Sequence, residues 1–503
     1  MATLQLEQQP KLNPFPAAQD VIFAVSENTV VANETKVKFI ANVYVDWNKT
    51  ALGTADTLVA TLKTTPNNAG VGIFDLRPIV ESFVNSDNIP EHATDTQYSL
   101  IPSWNNAQPR FKTNVYSNQN QFPIHLIDKY SWAKHTVKWL KVKFQIEYLG
   151  ADAAEPNNVN IDTDFLFTGS YLYYNGYLSK QDALDFGQYS NNFGWDLEKA
   201  GFDLAGNTIS YIQNSPTSRF LSNCPTDQYA RIGDYGTIPM FNTMDRSFTT
   251  GSPQSGTCRI DYIEIKMYND SNVQIGSTIQ VDNTAFTGGY HNKEPYALLK
   301  YLFAGVFPAN LRGWSTDFQG QINNISYYTV QAFGADHTAV TKIYNIHIIC
   351  DNSFGYEGIR LAWLNKFGGW DYYTFNQKSV RSITTSKQQY TQNNGTWNKA
   401  FYRPHGYKGG MKNFRVNAKE RLQINTDFLN DIESAWIEEL MNSPEVYIIN
   451  QYSDDDTAGI INKYVEPVIL TTSSFTRKTK ANDKLIQYTF EIERNSDLRT
   501  QAV

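Results

Sequence analysis

Several stretches of the chain alternate apolar and polar residues with a period of two, the mark of a strand with one buried face. Val37, Phe39, Ala41, Val43 and Val45 alternate with Lys38, Ile40, Asn42 and Tyr44, and Val59 to Lys63 reads as the partner strand. Leu140, Val142, Phe144, Ile146 and Tyr148 alternate with Lys141, Lys143, Gln145 and Glu147. Further along, Ile263, Ile265 and Met267 alternate with Tyr262, Glu264 and Lys266, and Asn269 to Asn272 supplies a hairpin turn. Ser326 to Phe333 and Tyr344 to Cys350 read as further strands, while Tyr296 to Ala304 fits a helix or a strand equally well. Near the end, Leu422 to Asn425, Glu445 to Ile449, Glu466 to Leu470 and the alternating run Ile486, Tyr488, Phe490 and Ile492 complete the set.

Helical spacing is rare. Leu76, Ile79, Val80 and Phe83 fit one face of a short helix that Asp75 could cap. Leu429, Ile432, Trp436 and Leu440 fit one face of a longer helix over 428–441, with Asp427 and Asp431 near its start and Ser443-Pro444 as its stop. The pattern predicts a mainly β, multidomain β-sandwich chain with a few short helices and one amphipathic helix near the C-terminus. Its expected divisions are an N-terminal arm at 1–20, a β-sandwich-like domain at 21–150, and an insertion or connecting segment at 151–240. A second β-domain at 241–375 and a C-terminal β-rich segment at 376–503 follow. The arm carries Pro10, Pro14 and Pro16 and no core-forming period, so it reads as disordered or ordered by a partner. The tail from Arg494 reads as mobile or docked on a neighbour.

The stretch Leu361 to Phe375 closes the second β-domain in this reading. Trp363 and Leu364 end an apolar strand, Asn365 to Gly369 supply turn chemistry, and Trp370 to Phe375 resume with aromatic and β-branched residues. Gly368 and Gly369 are expected to set the turn and Trp363 and Trp370 to anchor it. Gly369→Val should then damage folding or assembly rather than ligand affinity.

Composition agrees with sheets. Among 503 residues there are 31 Tyr, 29 Phe and 10 Trp against 6 Met and 3 Cys. The net charge of −7 argues against a nucleic-acid scaffold, which needs a basic surface. No window approaches the length of an apolar membrane span, and the first residues lack the basic and apolar regions of a signal peptide. Folding in a cytosol is the expectation.

Candidate chemistry is thin. Cys224, Cys258 and Cys350 form no CxxC pair, and Cys350, in period with Ile346 and Ile348, reads as a small core residue. The seven histidines, His92, His125, His135, His291, His337, His347 and His405, show no metal-ligand spacing, and His347 falls on the solvent side of its strand. Asp454 to Asp456 lacks the calcium-loop pattern and reads as a solvated turn. Glu433, Glu438 and Glu439 share one helix, so they are not carboxylates facing each other across a glycosidase cleft. Gly251 to Gly256 lacks the nucleophile-elbow spacing. No nucleophile–base set emerges, and no enzyme, metal or cofactor is expected. The tyrosines Tyr171, Tyr173 and Tyr174 could stack on glycan or form an interface. Arg403 to Lys412, glycine-rich and basic but no P-loop, could touch an anionic partner through Arg403 and Lys408, although a surface loop is the plainer reading.

Five segments taken in order resemble virion structural proteins of crAss-like and related Bacteroidetes tailed phages, of the tail, baseplate or neck type. They are Asn13-Pro14-Phe15 leading into Val21 to Val25 and the strand Lys38 to Val45; Leu62-Lys63 leading through Pro66 to Gly72 to Leu76 and Ile79-Val80; Phe220 to Pro225; Trp363 to Asp371; and Trp436 to Tyr447. The resemblance implies a non-enzymatic structural component that forms a homo-oligomeric ring or hub with other phage virion proteins and is assembled in the host cytoplasm. A receptor- or glycan-binding tail protein that contacts the host surface is the alternative. The segment 151–240 matches this pattern least.

Overall fold

The computed structural model describes residues 4–10, 13–47, 58–89, 123–127, 129–150, 159–178, 197, 209–242, 260–283, 300–334, 337–350, 355–396, 400–451, 465–474, 486–494 and 498–499. The acidic run Asp454 to Asp456, the stretch Gly251 to Gly256, Cys258, His92 and His291 lie outside them, as do parts of the arm, the tail and 296–304. Among the described residues the chain is mainly β, with 48% strand and 11% helix, in several sheets with few short helices. It forms two compact units. The first comprises Met1–Ile349, Leu364–Asp371 and Gln451–Ile461; the second comprises Cys350–Trp363, Tyr372–Asn450 and Asn462–Val503.

The first unit opens with a sandwich. A three-stranded sheet, in the order Gln5–Gln8, Ile22–Ser26, Val71–Asp75, faces a seven-stranded one. The larger sheet runs Phe15–Pro16, Tyr171–Tyr174, Val137–Leu149, Thr35–Asp46, Leu58–Thr64, with Val159–Ile161 and Leu166–Phe167 also paired to Val137–Leu149. The alternation seen in the sequence fills the space between them. Val21, Phe23, Val25 and Phe74 meet Phe39, Ala41, Val43, Val142, Phe144 and Ile146 in one buried cluster. Phe144 takes ring contacts from Phe23 at 5.9 Å and Phe74 at 5.6 Å.

Two expectations change here. The N-terminal arm is built into this chain's own sheets: Gln5–Gln8 pairs with Ile22–Ser26, and Phe15–Pro16 runs parallel to Tyr173 and Tyr174. The Asn13 amide ties the two segments, its oxygen accepting from Leu172 N at 2.8 Å. The sheet also crosses the division expected at 150, because three strands from 159–174 complete it. These strands are short, and Tyr171 to Tyr174 lacks alternation because it is buried on both faces. The short helix forms over Arg77–Ser82 with Leu76 at its N-cap. Asp75 sits one residue earlier and still accepts from Arg77 N at 3.0 Å.

A five-stranded sheet follows, ordered Asp227–Arg231, Tyr344–Ile349, Tyr327–Phe333, Tyr262–Tyr268, Gln274–Asp282. Ile263, Ile265, Met267, Tyr328, Val330 and Ile346 are its buried face. Phe318, from the short helix Thr316–Gln321, meets the Tyr328 ring edge-on at 5.4 Å. Tyr301–Gly305 resolves the helix-or-strand ambiguity as a fully buried strand between Thr237–Phe241 and Tyr130–Trp132. His347 is on the outer face as expected, whereas Cys350 is exposed, because the strand ends at Ile349 before its period reaches the core.

The second unit is organised on an eight-stranded sheet. Its order is Trp370–Phe375, Ile359–Leu364, Val446–Ile449, Val465–Leu470, Thr489–Arg494, Gly410–Asn425, Val380–Gln392, with Leu498–Arg499 beside Gly410–Asn425. The stems of the aromatic hairpin therefore pair with C-terminal strands, Leu361 opposite Ile448 and Trp363 opposite Val446. The helix spans Asp431–Asn442, three residues later than hydrophobic spacing suggested. Asn430 and Glu433 close a capping box that fixes its start. Its buried side chains are Ser434, Trp436, Ile437 and Leu440, while Ile432 is exposed and Leu429 is held before the helix by a bridge to Ile486. Trp436 packs on Trp363 at 5.1 Å and edge-on to Tyr373 at 6.0 Å. Among the described residues no helix is long and apolar enough to cross a membrane.

Candidate functional site

The most exposed feature of the second unit is a two-stranded ribbon. Val380–Gln392 and Gly410–Asn425 pair antiparallel from Val380 opposite Gln423 out to Gln392 opposite Gly410. Thr489–Arg494 flanks only Arg421 to Asn425, and Leu498–Arg499 only Asn417 and Ala418. Beyond Asn417, no third strand joins among the described residues. The last six residue pairs, Lys387 to Gln392, extend about 20 Å as a bare hairpin at the usual rise per residue. A two-stranded hairpin is marginal alone in water. This one is favoured locally by Thr384, Thr385, Ile383, Tyr390, Phe414 and Val416, whose side chains suit extended backbone. A bulge between Gln388 and Gln389 adds one residue to the facing strand, and Phe414 there meets Tyr390 edge-on at 6.4 Å.

The tip between the strands is folded in on itself. The Thr396 hydroxyl donates to Phe401 O and accepts from Arg403 N, both at 3.2 Å. Asn394 Oδ1 accepts from His405 N at 3.1 Å, and Lys408 N donates to His405 O at 2.9 Å. Gly395 takes a φ of +100°, and a Cβ there would overlap the Tyr402 ring. These bonds hold Phe401 and Tyr407 outward, 77% and 76% exposed, with Tyr402, Met411 and Phe414 also exposed.

Charge divides the ribbon. At its base the cations are paired: Arg381 with Glu420, Lys419 with Glu493 at 2.7 Å, and Arg421 with Glu493 at 3.1 Å and Glu491 at 3.3 Å. Hydrogen bonds from Lys419 and then Arg421 hold the Glu493 carboxyl below its ordinary pKa. Farther out, Lys387, Arg403, Lys408, Lys412 and Arg415 have no carboxylate partner among the described residues; Arg415 Nε donates instead to Asn417 Oδ1 at 2.9 Å. From Ser386 to Asn417 the sequence contains no Asp or Glu.

The other anticipated residues lie elsewhere. Tyr171, Tyr173 and Tyr174 are buried, Tyr173 stacked on Phe15 at 5.8 Å and Tyr174 against Phe241 at 6.0 Å. Burial pushes all three phenols up in pKa. They are core residues and offer no ring face to a glycan. Arg403 and Lys408 both lie on the ribbon tip, where both side chains are exposed.

The hairpin tip Leu364–Asp371 belongs to the first unit, and there it is buried. Asn365 organises it. Its N–H donates to Gly369 O at 2.8 Å, its Oδ1 accepts from Phe367 N and Gly369 N at 3.0 Å, and its Nδ2 donates to Leu221 O at 2.9 Å and Asp371 Oδ1 at 3.0 Å. Gly368 has a φ of +78°. A Cβ on Gly369 would overlap Pro239 and sit 2.9 Å from the Tyr301 hydroxyl. Trp370 donates to Asp87 O at 2.9 Å and meets His125 edge-on at 4.9 Å.

A third surface is an aromatic row on the outer face of the five-stranded sheet. Tyr268, Tyr327, His347 and Tyr229 occupy opposed positions on four neighbouring strands, with centroids 4.9, 5.4 and 5.3 Å apart. The rings pack against one another, with Tyr229 at the edge of the row still exposed. His, Cys, Asp and Glu side chains form no group that could hold a metal ion among the described residues.

No family model and no curated protein matches the chain. Among solved structures it is similar to Escherichia coli alpha-2-macroglobulin in its native conformation, at 8% identity and a TM-score of 0.18, over 84% of this chain and 22% of that one. It is likewise similar to Salmonella alpha-2-macroglobulin reacted with methylamine, at 6% identity and a TM-score of 0.17, over 97% of this chain and 23% of that one. The chain spans about a quarter of the length of these proteins or less.

Proposed function

We propose that this chain is a structural assembly protein that joins neighbouring protein chains through its ribbon. In the setting implied by the sequence resemblance, it is a tail, baseplate or neck component of a tailed-phage virion, built in the host cytoplasm and non-enzymatic. One observation carries the reading: among the described residues, a hairpin with an exposed aromatic tip extends beyond every flanking strand. Such an element gains its stability and its use from a partner surface. The test replaces 387–416 with Asn-Gly, a two-residue turn that keeps Ser386 opposite Asn417. The shortened protein should fold with an unchanged circular dichroism spectrum and be missing from particles of a phage that depends on it. Incorporation at the normal level would remove the reading.

A second reading is a glycan-binding tail protein, favoured by the outward rings of Phe401 and Tyr407 beside Arg403 and Lys408. Binding of the purified chain to host capsular polysaccharide, lost in Phe401→Ala/Tyr407→Ala, would select it.

A further inference from the structure

We propose that one face of the ribbon binds double-stranded DNA, lying in the major groove with its cations and amides turned to the phosphates and base edges. The site lies on the shaft, apart from the aromatic tip on which the assembly reading rests.

The register sorts the shaft into two unlike faces. Opposed residues of an antiparallel pair share a face, and so do residues two apart along a strand. On the strand Val380–Gln392 one face therefore carries Ser382, Thr384, Ser386, Gln388, Tyr390 and Gln392. Every one of these side chains has a hydroxyl or amide that can donate a hydrogen bond. The first five are exposed and Gln392 is half-buried. Opposite them on the facing strand, the same face carries Arg421, Lys419, Asn417, Arg415 and Lys412. Phe414, in the bulge, meets Tyr390 edge-on and so joins this face. The other face differs. It holds the exposed Ile383 and Met411, and it buries Ala418, Glu420 and Leu422.

Charge on the first face is uncompensated toward its outer end. At the base, Lys419 and Arg421 meet Glu491 and Glu493 from the neighbouring strand. Farther out that strand has ended, and Lys412 and Arg415 meet no carboxylate among the described residues. The net charge of −7 argues against a nucleic-acid scaffold for the chain as a whole, but the stretch from Ser386 to Asn417 contains no Asp or Glu. A locally basic stripe is the electrostatic footprint of a phosphate-binding surface.

Shape selects the duplex among polyanions. A major groove about 12 Å wide admits a two-stranded β-ribbon. From Ser382 to Gln392 the face runs about 35 Å at the usual rise per residue, close to one turn of DNA. Arginine and lysine suit phosphates and guanine, glutamine suits adenine, and hydroxyls serve either. An acidic protein or glycan would engage the cations and has no use for this row of hydroxyls and amides at groove width.

Fluorescence anisotropy of a labelled 30-base-pair duplex with the 503-residue chain tests the proposal, over 50 to 200 mM salt. The wild type should bind, with affinity falling linearly on a logarithmic salt scale. Lys412→Gln/Arg415→Gln should weaken binding about tenfold or more at 0.1 M salt and reduce the salt slope by about two. Lys387→Gln, which removes a cation from the other face, should reduce the slope by well under one. Circular dichroism checks that both variants fold. A wild type that does not bind the duplex at 50 mM salt would overturn the proposal. So would equal losses in the two variants, since the face would then not matter. Polyglutamate or capsular polysaccharide bound as tightly as the duplex would make an acidic protein or a glycan the partner, and a 30-base single strand bound more tightly would remove the groove. The assembly reading is judged separately, on whether the shortened-ribbon protein enters particles, and a failure to bind DNA leaves that result unchanged.

Discussion

Two hairpins of similar composition have opposite fates in this chain. The tip Asn365 to Gly369 and the tip 393–409 both combine glycine, asparagine, aromatic and basic residues. The first is buried, its backbone amides met by the Asn365 side chain and its rings packed inside the first unit. The second holds its backbone with Asn394 and Thr396 and leaves Phe401, Tyr402 and Tyr407 in water. Turn chemistry is common to both and does not separate them. What differs is the flanking strands. Ile359–Leu364 is buried along its whole length, whereas every residue of Val380–Gln392 but the last is exposed. The fate of a hairpin follows from its stems, because a tip cannot be buried deeper than the strands that deliver it.

The comparison can be broken most severely at Gly369. Valine there collides with Pro239 and Tyr301, and overpacking and backbone displacement should cost about 3 kcal/mol or more, read as a lowered Tm or loss of soluble protein. A Gly369→Val protein that melts like the wild type would show that the tip has room to move. Asn365→Ala should come next. It strands two buried N–H groups and two acceptors, for about 2–3 kcal/mol by urea denaturation.

Smaller is the effect of Glu493→Gln at the ribbon base. Lys419 and Arg421 depress the Glu493 pKa in the folded state, so its contribution is present above the unfolded value and fades as pH falls through the lower folded one. The wild type should therefore lose Tm more steeply than Glu493→Gln as pH drops from 5 toward 3, with the gap closing at the acid end. A parallel decline would place those ion pairs among the exposed pairs that add nothing. The smallest stability change belongs to Phe401→Ser/Tyr407→Ser, within about 0.5 kcal/mol, since the rings are exposed. A large loss of Tm in the isolated protein would mean that the tip is part of the core.

The ribbon also marks where sequence reading stops. Alternation exposes a strand only when one face is buried, and Val380–Gln392 has no buried face, so thirteen residues of strand left no periodic trace. Arg403 and Lys408 stood out locally. The larger signal was the run from Ser386 to Asn417 without an Asp or Glu, which single motifs do not reveal. The helix start was legible too, in the spacing of Asn430 and Glu433, although hydrophobic spacing alone drew in Leu429 and Ile432.

By itself the sequence determined the mainly β class, the long strands at Thr35–Asp46, Val137–Leu149, Tyr262–Tyr268 and Tyr327–Phe333, and one amphipathic helix near the C-terminus. Each has a one-sided pattern that only one secondary structure can bury. Tertiary structure alone decided that Tyr171 to Tyr174 is core rather than surface, that the N-terminal arm completes its own chain's sheets, and that one glycine hairpin is buried while another extends into solvent. Those outcomes depend on which distant strand supplies the neighbouring edge, a choice made by long-range pairing and packing that no local pattern encodes.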